Sequence, residues 1–220
     1  MPVAGINIEW LLIIVIGVVG MLVQWRLQSV FTKYSHVRTS NGMTGRDVAE
    51  KMLRDNGIYD VRVTSTPGHL TDHYNPADKT VNLSESVYNS PSIAAAAVAS
   101  HECGHAVQHA RGYAWLEMRS KLVPLISITS RFSTWVIILG MLTINTFPAL
   151  FWIGILMIAA SALFSIITLP VEYNASARAL DWLRSTRTLD ATQMEGASIS
   201  LRWAARTYLV AALSAIATLL

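Results

Sequence analysis

The apolar and polar positions along the chain sort into long greasy runs separated by two stretches of ordinary soluble texture. The first run, INIEWLLIIVIGVVGMLVQW (6–25), has the length of about 20 residues that a helix needs to cross a bilayer. STWVIILGMLTI (133–144) and ALFWIGILMIAASALFSIITL (149–169) flank NTFP (145–148), a polar and proline turn, and predict a tight transmembrane hairpin. Its first arm is short, and extending it brings in Arg131, which then has to snorkel or find a polar partner. TYLVAALSAIATLL (207–220), lengthened by LRWAAR ahead of it, predicts a fourth span. Trp10, Trp25, Trp135, Trp152 and Trp203 fall near the expected span ends, where aromatic belts form.

The soluble texture has its own periodicities. TGRDVAEKMLRDNG (44–57) predicts a helix opened by Thr44 with Asp47 three residues on, near a capping box, and closed by Gly57. Its apolar stripe is Val48, Ala49, Met52 and Leu53. YDVRVTST (59–66) alternates as a strand does, and HLTDHYNPADKTVNLSES (69–86) predicts two extended arms around an Asn75-Pro76 turn. NSPSIAAAAVASHECGHAVQHARG (89–112) then predicts a helix with Ser90 as N-cap, Pro91 in the first position and Gly112 just past its end.

Composition agrees with spans. Of 220 residues 52% are hydrophobic and only 14% charged, against about a quarter charged in soluble domains. The expected fold class is α+β and mainly helical: an integral membrane protein with about four transmembrane helices around a small zincin-like domain. Its parts are a first span (1–27), a cytosolic domain (28–121), the hairpin (122–170), a cytosolic helix (171–200) and a last span (201–220). The first span makes a poor cleavable signal peptide, because no positive charge precedes it and no small-residue cleavage site follows. Lys and Arg from Arg26 to Lys121 and from Arg178 to Arg206 share one side of this arrangement, and the other side has just Glu9. Positive charge stays cytoplasmic, which puts the N-terminus outside and both polar segments inside. The net charge of +3 has no basic cluster, so nucleic-acid binding has no support. A single cysteine, Cys103, excludes an intramolecular disulfide.

The chemistry concentrates in His101-Glu102-x-x-His105. Two imidazoles four residues apart share one helix face and can bind one zinc, with Glu102 beside the water it activates. The surrounding Ala, Val and Gly predict burial, and buried polar groups require partners. Cys103 lies about 200° around the helix from His101 and reads as core filler. His109 sits one turn beyond easy reach of the same ion and reads as a packing or ligand-supporting residue. A catalytic zinc takes a third protein ligand, and the candidates are Glu117, Glu172, Asp181, Asp190 and Glu195. Glu172 is favoured: in LPVEYNASARALDWL (169–183), Pro170 is expected at a helix start, with Glu172 in the first turn beneath the second hairpin arm.

GHLTDHYNPADKTVNLSESVY, HECGHAVQH and LPVEYNASARAL resemble the YugP-like bacterial membrane zinc metallopeptidases over nearly the whole chain, in order and spacing. The wider pattern is similar to HtpX and the CAAX prenyl proteases, which also place a membrane hairpin between HExxH and a ligand glutamate. The resemblance implies a gluzincin with one zinc per chain, ligands His101, His105 and Glu172, Glu102 as catalytic base, and residence in the bacterial inner membrane. HtpX-type proteins carry an aspartate four residues after the ligand glutamate; this chain has Ser176, so Ser176, Asn174 and Asp72 are the candidates to support a ligand histidine. Cys103 stands where alanine is expected, and relatives tend to continue into a basic tail past the position of Leu220.

Zinc activates water and polarises a carbonyl, and Glu102 shuttles the proton to the leaving amine. Tyr173, His73 and Arg178 are the candidate donors for the developing oxyanion. KTVNLSE (79–85) is expected as an edge strand able to pair with an extended substrate. The partners implied are the lipid bilayer and a membrane-proximal protein or peptide. Two rivals differ in class. A site-2-type intramembrane protease needs an acidic ligand within a span, and the segments between 133 and 169 contain none. A non-proteolytic zinc scaffold leaves Glu102 without a purpose.

Overall fold

The computed structural model describes residues 8–219; residues 6–7 of the first expected span, the side chain of Glu9, and Leu220 lie outside that description. In chain order the elements are α1 (Ile8–Ser35), α2 (Gly45–Asp55), β1 (Arg62–Thr66), β2 (His73–Asn75), β3 (Thr80–Ser84), α3 (Glu85–Tyr88), α4 (Ile93–Ala110), α5 (Ala114–Leu142), α6 (Ala149–Ser185) and α7 (Ala191–Ala217).

The soluble part forms by local rules. Thr44 caps α2, its hydroxyl accepting from the Asp47 N–H while the Asp47 carboxylate accepts from the Thr44 N–H. Val48, Ala49, Met52 and Leu53 are all buried and pack against the sheet and α4. The arms around Asn75-Pro76 are β2 and β3, paired antiparallel, and β1 joins β3 in parallel, giving the order β1-β3-β2. KTVNLSE therefore supplies the central strand, not an edge. Thr80, Val81, Leu83 and Ser84 are all buried, which is the burial of a strand covered on both faces.

α4 begins two residues later than its Ser-Pro signal. Ser92 is the N-cap, accepting from the Ala95 N–H, because Pro91 is held in an extended connection by the Thr39 N–H on its carbonyl. Ala94 to Ala97 are each 1% exposed or less. These small side chains let α4 lie close across its neighbours.

The hairpin arms are longer than the apolar runs. α5 has 29 residues and includes Arg131 and Pro124; α6 has 37 and includes Pro170 in its interior. Pro170 thus does not start a helix. Proline removes one backbone donor and strains the preceding turn, and here the packing of α6 on α4, α5 and α7 outweighs that local loss.

α1, α5 and α6 are long and apolar enough to cross a membrane. Most of the fourth span expected at 201–220 lies in α7, which ends at Ala217; at 27 residues the helix has the length but combines its apolar end with Arg202 and Arg206. α5 packs along α6, α6 along α7 and α7 along α1, an open row with α4 laid across it, mainly on α6 and α7.

Candidate metal centre

Gly104, in the middle of the His-Glu-Cys-Gly-His run, sits where α4 crosses α6. A Cβ there would lie 2.6 Å from the carbonyl oxygen of Ala175, so only glycine permits this approach. The crossing brings Glu172 onto the imidazoles. Its Oε2 is 3.2 Å from His101 Nε2 and 3.7 Å from His105 Nε2, and the donor atoms of the three residues all lie within 4.8 Å of one another. Ligands at zinc bond lengths in a tetrahedron are about 3.3 Å apart. The donor set and its spacing fit one zinc ion.

The other imidazole nitrogens are already committed. Gln108 Nε2 donates to the Val171 carbonyl at 2.8 Å and to Asn174 Oδ1 at 2.9 Å. Its Oε1 therefore faces His105 Nδ1, 3.0 Å away, and must accept. That fixes the proton on Nδ1 and leaves the Nε2 lone pair pointing at Glu172. His101 Nδ1 meets Ser176 Oγ at 3.1 Å. Ser176 thus stands against His101 one turn after Glu172, and Asn174 reaches His105 only through Gln108. Asp72 does neither: it accepts from the N–H and hydroxyl of Ser84, tying the loop before β2 to the end of β3.

Glu102 is buried beside the same site and accepts from the Tyr74 N–H at 3.0 Å. Burial pushes its carboxyl up to about 7, against the pull of His101. Together these groups line a cavity of about 340 Å³, walled also by His73, Leu116, Arg119 and Tyr208.

The remaining sequence candidates divide. His73 lines the cavity, its ring held by the Thr71 carbonyl at 2.8 Å and by Asn82 at 3.3 Å. Tyr173 is 48% exposed and is not among the residues lining the cavity. Arg178 donates to Asn174 at 2.7 Å and lies over the Tyr113 ring, away from the cavity; its alternation with Glu172 along one helix sends it to another face. His109 Nδ1 is hydrogen-bonded to the Tyr74 hydroxyl at 2.7 Å and pins β2 to α4. Cys103 is buried against the Ala49 carbonyl.

Arg119, Gln108, Tyr74 and Tyr208 were not singled out in the sequence. Arg119 Nη1 is 3.1 Å from Glu172 Oε1, so it holds the oxygen turned away from the imidazoles. Gln108 had a readable signal, three residues after His105 on the same face. Arg119 and Tyr208 had none, since only the packing of α5 and α7 about α6 brings them in.

A pair of histidines on one helix, joined by a carboxylate from a second helix long and apolar enough to cross a membrane, could hold a metal ion. The family profile described as "Putative neutral zinc metallopeptidase" matches residues 9–220. The Bacillus subtilis (strain 168) protein described as "Putative membrane protease YugP" is 42% identical over 199 residues, covering 90% of this chain and 87% of that one. No solved structure matches the chain significantly. The chain belongs to the YugP-like family of zinc metallopeptidases.

Proposed function

We propose that the protein is a membrane-embedded, zinc-dependent endopeptidase that hydrolyses peptide bonds of protein segments close to the membrane surface. The observation that carries this is the convergence of His101, His105 and Glu172 donors within 4.8 Å, with Glu102 on the same cavity.

Zinc bound there would supply Lewis acidity toward the scissile carbonyl and lower the pKa of water in the cavity. His101 and His105 present their Nε2 atoms because Ser176 and Gln108 hold the opposite nitrogens. Arg119 engages one Glu172 oxygen and leaves the other for the ion. Glu102, oriented by the Tyr74 N–H, takes a proton from water and delivers it to the departing amine. Leu116 and Val123 keep one wall of the cavity apolar.

The reading extends to location. Lys and Arg gather on the side of α4 and the sheet, so the site faces the cytoplasm from the bacterial inner membrane. α7 provides the fourth crossing.

The test is purified Glu102→Gln protein beside wild type, assayed on a peptide library with zinc content measured on the same samples. Wild type cleaves and loses cleavage to a chelator, while the variant keeps zinc and does not cleave. Cleavage by the zinc-loaded variant at the wild-type rate overturns the reading, and a wild-type protein that binds zinc without hydrolysing any peptide returns the scaffold alternative.

A further inference from the structure

One face of α5 runs out of the metal cavity and into the membrane. Leu116, Arg119, Ser120 and Val123 line the cavity, and at helical spacing the same face continues through Ser127, Ser130, Arg131 and Thr134. All four of these are exposed. The hydroxyls of Ser127 and Ser130 turn back onto their own helix carbonyls, which leaves Arg131, beside the lone hydroxyl of Thr134, as the charged group with unspent hydrogen-bonding capacity.

Arg131 is the sole charged residue between Lys121 and Glu172, and it forms no ion pair among the described residues. α5 ends at Leu142, eleven residues or about 16 Å beyond Arg131. A hydrocarbon core about 30 Å thick therefore puts the guanidinium near its middle. Intramembrane charges face a partner or a polar cavity. Among the described residues no other element covers this one, because α5 is the end of the row and packs chiefly along α6.

Resting on the reading of the protein as a membrane protease, we infer that this stripe is the docking face for a transmembrane helix of the substrate. That helix carries a carboxylate at mid-bilayer depth, opposite Arg131. Three considerations select this occupant. An acidic side chain neutralises a cation that lipid cannot solvate. Small hydroxylated residues let a second helix approach closely. The stripe is continuous with the cavity, so a helix seated on it emerges at the metal centre, about 16 Å above Arg131. A second copy of the chain fits less well, since two-fold pairing of α5 helices about the membrane normal sets two Arg131 cations at one depth. Anionic lipid headgroups lie at the surface, beyond the reach of a side chain at mid-depth.

The experiment uses full-length Glu102→Gln protein, so that nothing is cleaved, in neutral phosphatidylcholine vesicles. The probe is a single-span Leu/Ala helix of about 20 residues with one central Glu, followed by energy transfer to a fluorophore on the protein. The Glu helix is expected to bind about tenfold more tightly than the same helix with Gln. Arg131→Gln removes the difference, and Arg131→Glu restores binding for a helix bearing Lys. Equal binding of the Glu and Gln helices overturns the proposal, as does energy transfer between protein copies that Arg131→Gln abolishes. Arg131 is exposed and outside the metal centre, so zinc-dependent cleavage of short soluble peptides by otherwise wild-type Arg131→Gln protein reports separately on the protease reading.

Discussion

The backbone of Gly104 on α4 meets the Ala175 carbonyl on α6 with no room for a side-chain carbon: a Cβ would stand 2.6 Å from the oxygen. This contact sets the separation of the two helices that carry the metal donors. Gly104→Ala forces them apart at an overpacking cost of about 1–3 kcal/mol and moves Glu172 away from the imidazoles. Equilibrium dialysis is expected to find zinc binding weakened while circular dichroism reports an intact helical fold. Zinc affinity unchanged in Gly104→Ala would mean that the crossing does not govern the site.

Gln108 and Ser176 hold the histidines and would act on a bound zinc without touching it. Partners of this kind are worth about 10–100-fold in metal affinity. Gln108→Leu is expected to have the larger effect, since it also removes the bonds from Gln108 to the Val171 carbonyl and Asn174. Ser176→Ala removes a single contact to His101 and should lie at the lower end. Competition with a fluorescent chelator measures both.

Zinc should also hold the fold together. Glu172 is 1% exposed and has Arg119, His101 and His105 around it. Free zinc at a hundred times its dissociation constant stabilises the native state by about 2.7 kcal/mol, seen as a rise in melting temperature. Glu172→Gln keeps the shape and removes a ligand charge, so most of that rise should disappear. An undiminished rise in the variant would point to another third ligand.

The zinc-free protein should respond to pH through Glu102. Its carboxyl ionises near 7 when folded, against an ordinary value of 4.5, because it is buried. Between those values the folded chain holds a proton that the unfolded chain has released, so this group's contribution is present below about pH 4.5 and fades as pH rises to about 7. Melting curves in detergent with chelator present are expected to show Glu102→Gln gaining on wild type across that interval. Parallel curves would show that the carboxyl is ionised throughout.

Much of the soluble domain was legible because its signals are local. Thr44 and Asp47 three residues apart announce the start of α2, Asn75-Pro76 announces the turn between β2 and β3, and Gly112, with φ 61°, announces the end of α4. What went astray was decided by packing. Proline at 170 reads as a helix start, yet α6 passes through it. β3 looks like an edge until β1 is known to cross over and pair on its far side. The same division runs through the candidate site. His101, Glu102 and His105 are written into one turn and a half of helix, whereas Arg119 and Tyr208 join it from helices whose neighbours no spacing rule foretells. Arg178 and Tyr173 look close to Glu172 in the chain, but the helix turns them elsewhere.

The unbroken course of α6 has a mechanical consequence. From Ala149 at the hairpin turn to Glu172 is 23 steps of one continuous helix, about 35 Å, so the carboxylate is a fixed length from that turn. The two histidines ride on α4, which Gly104 keys to the Ala175 carbonyl of the same rod. Tilting α6 therefore carries all three donors as one body, and their mutual spacing is insulated from movements at the distant hairpin end.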